Sequence, residues 1–271
     1  YMEKLVVHIG GGDPVYGNAD DPIRFAVSKL AHIHCCTSQP YAENLQKIGE
    51  EDFRIFFTGH PAFANIDFVS VIEKSELMNL LGIKNKNYIV LIKHPLSSEV
   101  ESSGRQMEIT LESLEKFCNT YDFQVIYIPP NSDPGSHEMK KVLANYYDKN
   151  WLITLETLPR LQFVNLMRYA KVLVGNSSMG ICEAPHYKLP VVNIGNRQKG
   201  RLNAGNVEFV SYGIDEIINS LEKAAFDKNY LQKVGNIVNP YGDSSASIKI
   251  RKSIESVDIS DRKWYVKQKL C

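Results

Sequence analysis

The sequence predicts an α/β protein with two Rossmann-like domains, the first of them incomplete. Three observations predict it. Residues 88–210 alternate short apolar runs with amphipathic ones, as strands and helices do in parallel βα units. Residues 3–57 alternate in the same way but supply only three strands, where a doubly wound domain has about five or six. Residues 172–201, VLVGNSSMGICEAPHYKLPVVNIGNRQKGR, place a strand, a tight polar turn, a helix and a second strand in one short stretch.

Taken in order, residues 3–9 read as a strand broken by Gly10-Gly11-Gly12-Asp13. Asp20-Asp21-Pro22 is a helix start, acidic with a proline in the first turn, and its helix runs to about Leu30. A strand (32–37), a helix (40–48) and a strand (53–57) complete the first part, and Thr58-Gly59-His60-Pro61 ends it. Then come a helix (74–81), a buried strand (88–93), a loop (95–104), a helix (106–121) and a strand (123–128). A loop (129–135), a helix (136–147), a strand (151–155) and a helix (159–169) lead into the stretch quoted above. In that stretch the strands are 171–174 and 190–194, and the helix is 179–187. Two more helices (214–225 and 230–234), a turn (239–243) and a last helix (245–256) follow.

Lys+Arg and Asp+Glu are both 31, so the net charge is zero, which argues against a nucleic-acid protein held by a general field. Hydrophobic residues are 44% and charged ones 23%, enough for a sizeable core. The five cysteines form no CxxC or Cys/His spacing, so buried free thiols in a reducing cytoplasm are expected and no metal or cofactor is required. No apolar run has the length of a membrane span.

The candidate site residues each have a plain structural reading beside the functional one. Ser177 and Ser178, at the start of the helix after Gly175-Asn176, are either a helix cap or, with nearby N–H groups, an anion site. Glu183, a turn further in, can accept from two adjacent hydroxyls such as those of a ribose. Arg197 can supply positive charge. Asp13 and Asp20 lie on one loop and are either turn and cap residues or a pair of proton-transfer groups. His94 stands at the carboxyl end of a strand, the edge where open α/β sheets bind ligands. Asn131, with Ser132 and Asp133, is either an Asx turn or a substrate contact.

Several runs resemble the UDP-N-acetylglucosamine 2-epimerase family, in particular its hydrolysing branch, which feeds sialic- and legionaminic-acid-type sugars. They are Gly175-Asn176-Ser177-Ser178, Gly180, Glu183-Ala184-Pro185, Asn193-Ile194-Gly195, Arg197-Gln198 and Gly200-Arg201. His8-Ile9-Gly10-Gly11-Gly12-Asp13 is similar to that branch's H-I-H-G-G-E, and residues 17–25 to its G-x-x-D-(D/E)-x-I-R-H. Residues 239–243, with Ala246, are similar to its N-P-Y-G-D-G-x-A. The resemblance implies a glycosyltransferase-B-type fold with the nucleotide sugar in the cleft. Its divisions would be the C-terminal part of a first domain (1–72), a UDP-binding domain (73–243) and a C-terminal helix returning to the first (244–271). It implies UDP contacts from Ser177, Ser178, Glu183 and Arg197, a substrate contact from Asn131, and catalytic roles for Asp13, Asp20 and His94. The reaction implied is hydrolysis of UDP-N-acetylglucosamine, or a diacetamido relative, to UDP and the 2-epimer. Gly10, Asp13, Phe25 and Ala64 depart from the family pattern. Asp13 for Glu shortens the reach by one methylene, and a shift of about 1 Å can cost about a hundredfold in rate. A truncated or diverged UDP-binding homologue therefore stays open beside the enzyme, as does a glycosyltransferase. An incomplete first domain would also favour a homo-oligomer or a separately encoded first half.

Overall fold

The computed structural model describes residues 4–15, 20–84, 87–130 and 132–267, so Asn131 and Cys271 lie outside the described residues. The chain divides into two compact units, one formed by residues up to 15, 19–68 and 239–271, the other chiefly by 69–238.

The first unit has β1 (Val7–Ile9), α1 (Asp20–Leu30), β2 (Ile33–Cys36), α2 (Gln39–Lys47) and β3 (Ile55–Phe57). Its strands form a parallel sheet in the order β1-β2-β3, with Val7 opposite Ile33 and His34 opposite Ile55. β2, central and buried along its whole length, carries Ile33, His34, Cys35 and Cys36. α1 starts on Asp20 and Asp21 and has Lys29 in its last turn, charges that oppose the helix dipole. At Gly12, φ is +80°, and a Cβ there would lie 2.1 Å from the Tyr41 carbonyl oxygen. Only glycine lets the turn after β1 sit this close to α2, and that turn delivers Asp13 to its buried position.

Two buried charged residues tie the chain's last described segment to this sheet. The guanidinium of Arg54, fully buried, pairs with Glu51 at 2.8 Å and donates to the carbonyls of Lys263, Trp264 and Val266. The buried Glu50 carboxylate meets Lys267 at 2.7 Å, His34 at 2.8 Å and Lys29 at 3.1 Å. Burial works to raise the Glu50 carboxyl, but bonds from Lys267, His34 and Lys29 outweigh it and hold the group below its ordinary range. Burial pushes His34 down to about 4 despite Glu50, so a neutral imidazole donates Nε2–H to an ionised carboxylate.

The second unit continues with α3 (Lys74–Leu81), β4 (Tyr88–Ile92), α4 (Ser103–Tyr121), β5 (Gln124–Tyr127), α5 (Ser136–Ala144), β6 (Leu152–Thr154) and α6 (Arg160–Tyr169). Then come β7 (Val172–Gly175), α7 (Met179–Cys182), β8 (Val191–Ile194), β9 (Val207–Val210), α8 (Ile214–Phe226) and α9 (Lys228–Gly235), while α10 (Ala246–Glu255) belongs to the first unit. The sheet is all parallel, in the order β6-β5-β4-β7-β8-β9. Alternate residues feed its two faces: Ile89, Leu91, Val125 and Val174 pack with Leu111, Leu114 and Leu221 of α4 and α8. Tyr88, Val90, Ile126 and Leu173 pack with Leu77 and Leu166 of α3 and α6. The apolar strand runs follow from burial on both faces.

The helix expected over 179–187 is instead one turn, Met179–Cys182, followed by a 3-10 turn, Ala184–Tyr187. Pro185 has no N–H to give to the carbonyl four residues back, so the α-helix cannot pass it. The helix expected from residue 106 starts earlier, at Ser103. Cys35, Cys36, Cys118 and Cys182 are buried free thiols. Among the described residues no helix is long and apolar enough to cross a membrane.

Arg54→Met should leave the carbonyls of 263, 264 and 266 without their buried donor and Glu51 without its partner. A loss of about 3–5 kcal/mol is expected, read as a lower urea midpoint.

Candidate functional site

In the second unit the chain crosses over between β4 and β7: β5 and β6 lie to one side of β4, β8 and β9 to the other side of β7. In open α/β sheets this crevice, outside the carboxyl ends of the two strands, is where ligands bind. His94 follows β4, and Gly175 to Ser178 end β7, so the fold brings both sequence-selected segments to that crevice.

Gly175 makes the corner possible. Its φ is +129°, and a Cβ would lie 2.0 Å from the Ile92 carbonyl oxygen, so no side chain fits. Asn176 then spans the two strand ends. Its Oδ1 accepts from the His94 N–H at 2.7 Å and its Nδ2 donates to the His94 carbonyl at 2.8 Å. The Asn176 carbonyl accepts from Gln198 Nε2 at 3.0 Å and from the Arg197 guanidinium at 3.2 Å. Arg201, 6% exposed, holds Gln198 Oε1 at 2.8 Å. The run after β8 therefore braces the corner with Gln198 and Arg201 and sets Arg197 beside it. Ser177 Oγ accepts from the Met179 N–H at 3.3 Å, whereas the exposed Ser178 hydroxyl makes no cap bond. One helical turn carries little dipole, so an anion here would be held by hydroxyls, local N–H groups and Arg197.

Burial sets the protonation of this region. The His94 imidazole is pushed down to about 4 by burial, then by Arg197 and Lys93, against an upward pull from Asp133. It is neutral near pH 7, and a bound anion would draw a proton toward it. Burial lifts the Glu183 carboxyl to about 7, with Arg160 pulling the other way. Hydroxyl donors, such as a ribose has, would favour its ionised form.

Lys93 carries no role in the sequence reading, which saw only a residue within an apolar strand run. It is 1% exposed, and burial lowers its amine to about 7 against Glu99. Its Nζ donates to the Tyr212 hydroxyl at 3.1 Å and lies 4.7 Å from that ring's centre. The chain of bonds goes on from Tyr212 to Gln106 Oε1 (2.9 Å), and from Gln106 Nε2 to Glu99 (2.6 Å).

In the first unit Asp13 and Asp20 line one cavity of about 370 Å³ together with His8, Arg24, Thr37 and His60. Asp13 is 4% exposed and pairs with Arg24 at 3.0 Å, while Asp20 is exposed at the start of α1. Arg24 also donates to the Asp13 carbonyl at 2.9 Å, which fixes the guanidinium over that turn. Two carboxylates in one cavity but in unlike surroundings suit separate proton-transfer roles. His8 and His60 join them, although the sequence reading gave neither a role. The available signal was local: His60 stands before Pro61, and His8 lies in β1, just ahead of the glycine turn.

The family described as UDP-N-acetylglucosamine 2-epimerase matches residues 1–255. The chain is 34% identical over 230 residues to a GDP/UDP-N,N'-diacetylbacillosamine 2-epimerase (hydrolyzing) of Campylobacter jejuni, covering 84% of this chain and 57% of that protein. It is 30% identical over 260 residues to a UDP-N,N'-diacetylbacillosamine 2-epimerase (hydrolyzing) of Legionella pneumophila, covering 96% and 66%. The chain thus spans less than two thirds of the length of either relative. The crystal structure of UDP-GlcNAc 2-epimerase from Neisseria meningitidis bound to UDP-GlcNAc superposes with a TM-score of 0.81 at 20% identity, over 95% of this chain and 71% of that one. At that identity the likeness is one of fold, α/β with parallel sheets of glycosyltransferase-B type.

Lys93→Met should stabilise the protein near pH 7. With its amine lowered from 10.5 toward 7, the folded chain binds fewer protons than the unfolded chain in that window. The cost of burying Lys93 is then full below about pH 7 and fades as pH rises through 10.5. The gain in melting temperature should be larger at pH 7 than at pH 10.

Proposed function

The chain belongs to the UDP-N-acetylglucosamine 2-epimerase family, and on that premise we propose that it hydrolyses a UDP-linked N-acetyl sugar to UDP and the free 2-epimer. The observation that carries this reading is the Asn176-braced corner at the β4/β7 crevice, with Ser177, Ser178, His94 and Arg197 around it. The diphosphate takes hydrogen bonds from the two serines and from Arg197, and His94 stands as a further phosphate ligand or acid. Glu183 accepts from the ribose hydroxyls, and Asn131 touches the substrate. The sugar is N-acetylglucosamine or a diacetamido relative. The hydrolysing relatives at 30% and 34% identity support the second, and a place in nonulosonic acid biosynthesis in the cytoplasm goes with either.

Asp13 and Asp20 share the proton transfers. One carboxylate takes the C2 proton, the C1–O bond to UDP breaks, and its electron pair leaves on the diphosphate. A 2-acetamidoglucal remains. Water then adds across C1 and C2, with its hydroxyl on C1 and the proton returned to C2 on the opposite face. Positive charge and hydroxyl donors around the leaving diphosphate lower the barrier most where negative charge grows.

UDP release from UDP-N-acetylglucosamine, with N-acetylmannosamine as co-product, tests the reading. Asp20→Asn should cut kcat by about 10²- to 10⁴-fold with little change in UDP affinity. Ser177→Ala combined with Ser178→Ala should weaken UDP binding by at least about tenfold. UDP binding without turnover in the unsubstituted chain would favour a diverged, binding-only homologue.

A further inference from the structure

We propose that His8 and His60 are a complementary pair of neutral imidazoles in the Asp13/Asp20 cavity, one presenting a hydrogen-bond acceptor and the other a donor to an uncharged polar group of the bound sugar. This rests on the reading that a sugar is processed in that cavity, and it assigns two residues that reading leaves without a role.

His60 has its tautomer set by the backbone. Its Nδ1 accepts from the Ala62 N–H at 3.1 Å. A ring nitrogen that accepts an N–H bears no proton of its own, so the neutral ring carries its proton on Nε2. The ring is held on several sides. It stacks on Phe63 with centroids 5.9 Å apart and 15° between planes, and it meets the buried Tyr241 ring edge-on at 6.0 Å. The His60 N–H donates to the Tyr241 carbonyl at 2.8 Å, and Tyr241 in turn shares a hydroxyl bond with Tyr41 at 2.9 Å. An imidazole fixed in this way gives a hydrogen bond at little cost in side-chain entropy.

His8 is set the opposite way. Ser28, fully buried, gives its single hydroxyl proton to the Arg24 carbonyl at 3.1 Å. Its oxygen lies 3.0 Å from His8 Nδ1 and therefore accepts from that nitrogen. The proton of His8 is on Nδ1, and Nε2 is a bare acceptor. Burial and then the Arg24 charge lower this imidazole, which keeps it neutral.

Both rings line that cavity, and in the proposal each turns its second nitrogen to the sugar, one as acceptor and one as donor. A hydroxyl, or the N–H and carbonyl of an acetamido group, satisfies such a pair; a charged phosphate does not, because the acceptor nitrogen would face oxygen. The pair also leaves proton transfer to the carboxylates, since neither ring has to change its charge.

Two measurements test this. Ring ¹⁵N spectra of the full chain at pH 7.5 should show His60 protonated on Nε2 and His8 on Nδ1. Adding UDP-N-acetylglucosamine should shift both rings, and adding UDP alone should not. In kinetics, His60→Ala should lower kcat/KM about tenfold, the worth of one neutral hydrogen bond, and His60→Gln, which keeps a donor, should recover most of it. His8→Ala should behave likewise, with rescue by His8→Gln. Neither should displace the pH limbs that belong to the carboxylates. If the loss in His60→Ala is the same with UDP-glucose, the contact is a hydroxyl; if it vanishes there, the contact is the acetamido group. Opposite tautomers, rings that shift with UDP alone, or alanine variants of unchanged kcat/KM would overturn the pair. Absence of UDP release from the unsubstituted chain would instead sink the hydrolase reading. In that case rings unmoved by UDP-N-acetylglucosamine, with UDP still bound, would overturn the pair as well.

Discussion

The two hydrogen bonds between the Asn176 side chain and the His94 main chain are the constraint from which the rest of the second unit's chemistry follows. They join the ends of β4 and β7 where the strand order reverses, and they do so with one amide that is 3% exposed. A buried amide satisfied on both its atoms permits one arrangement, because leaving either atom unpaired costs about 1–3 kcal/mol. The same residue's carbonyl receives Gln198 and Arg197, so the corner, the imidazole and the guanidinium are placed by one set of contacts. Preorganised donors of this kind need no rearrangement when an anion arrives.

The first unit solves a different problem. Its three-stranded sheet is small, and β1 and β3 are only partly covered. Buried charge does what apolar area does in the larger unit. Arg54 and Glu50 fasten residues 263–267 to the sheet, and each is surrounded by partners of opposite sign or by carbonyls. Burying charge in this way is specific, because few geometries satisfy a fork of guanidinium donors. The Asp13 turn draws on the same logic, since Arg24 pairs with its side chain and its carbonyl together.

In both regions burial favours the neutral form of particular imidazoles. His34 and His94 are each pushed down to about 4, and His8 is lowered too. A neutral imidazole has one donor and one acceptor nitrogen, and which is which is decided by the atom that meets the first of them. That makes histidine a directional element here, with Ser28 and the Ala62 N–H as the deciding partners.

Much of this was legible in the amino acids alone. The βα alternation reflects strands buried on both faces, and that demand is written locally as apolar runs. The glycine at 175 and the polar residues after it mark a corner with no room for a Cβ, and the family pattern names the same run. The helix after Ser178 is shorter than the expected 179–187, although Pro185, which cannot continue it, stands in the sequence. Other features were decided only by the tertiary structure. Lys93 looks like any strand residue until Tyr212, far along the chain, closes over it. Gln198 and Arg201 are motif residues with no role of their own in the sequence reading, and the fold shows both buried as braces. The tautomers of His8 and His60, and the different exposure of Asp13 and Asp20, also arise only in the fold. Local spacing determines which backbone shapes are possible, because sterics and burial act residue by residue. Protonation, tautomer and burial depend on which distant groups arrive, and only the folded chain supplies them.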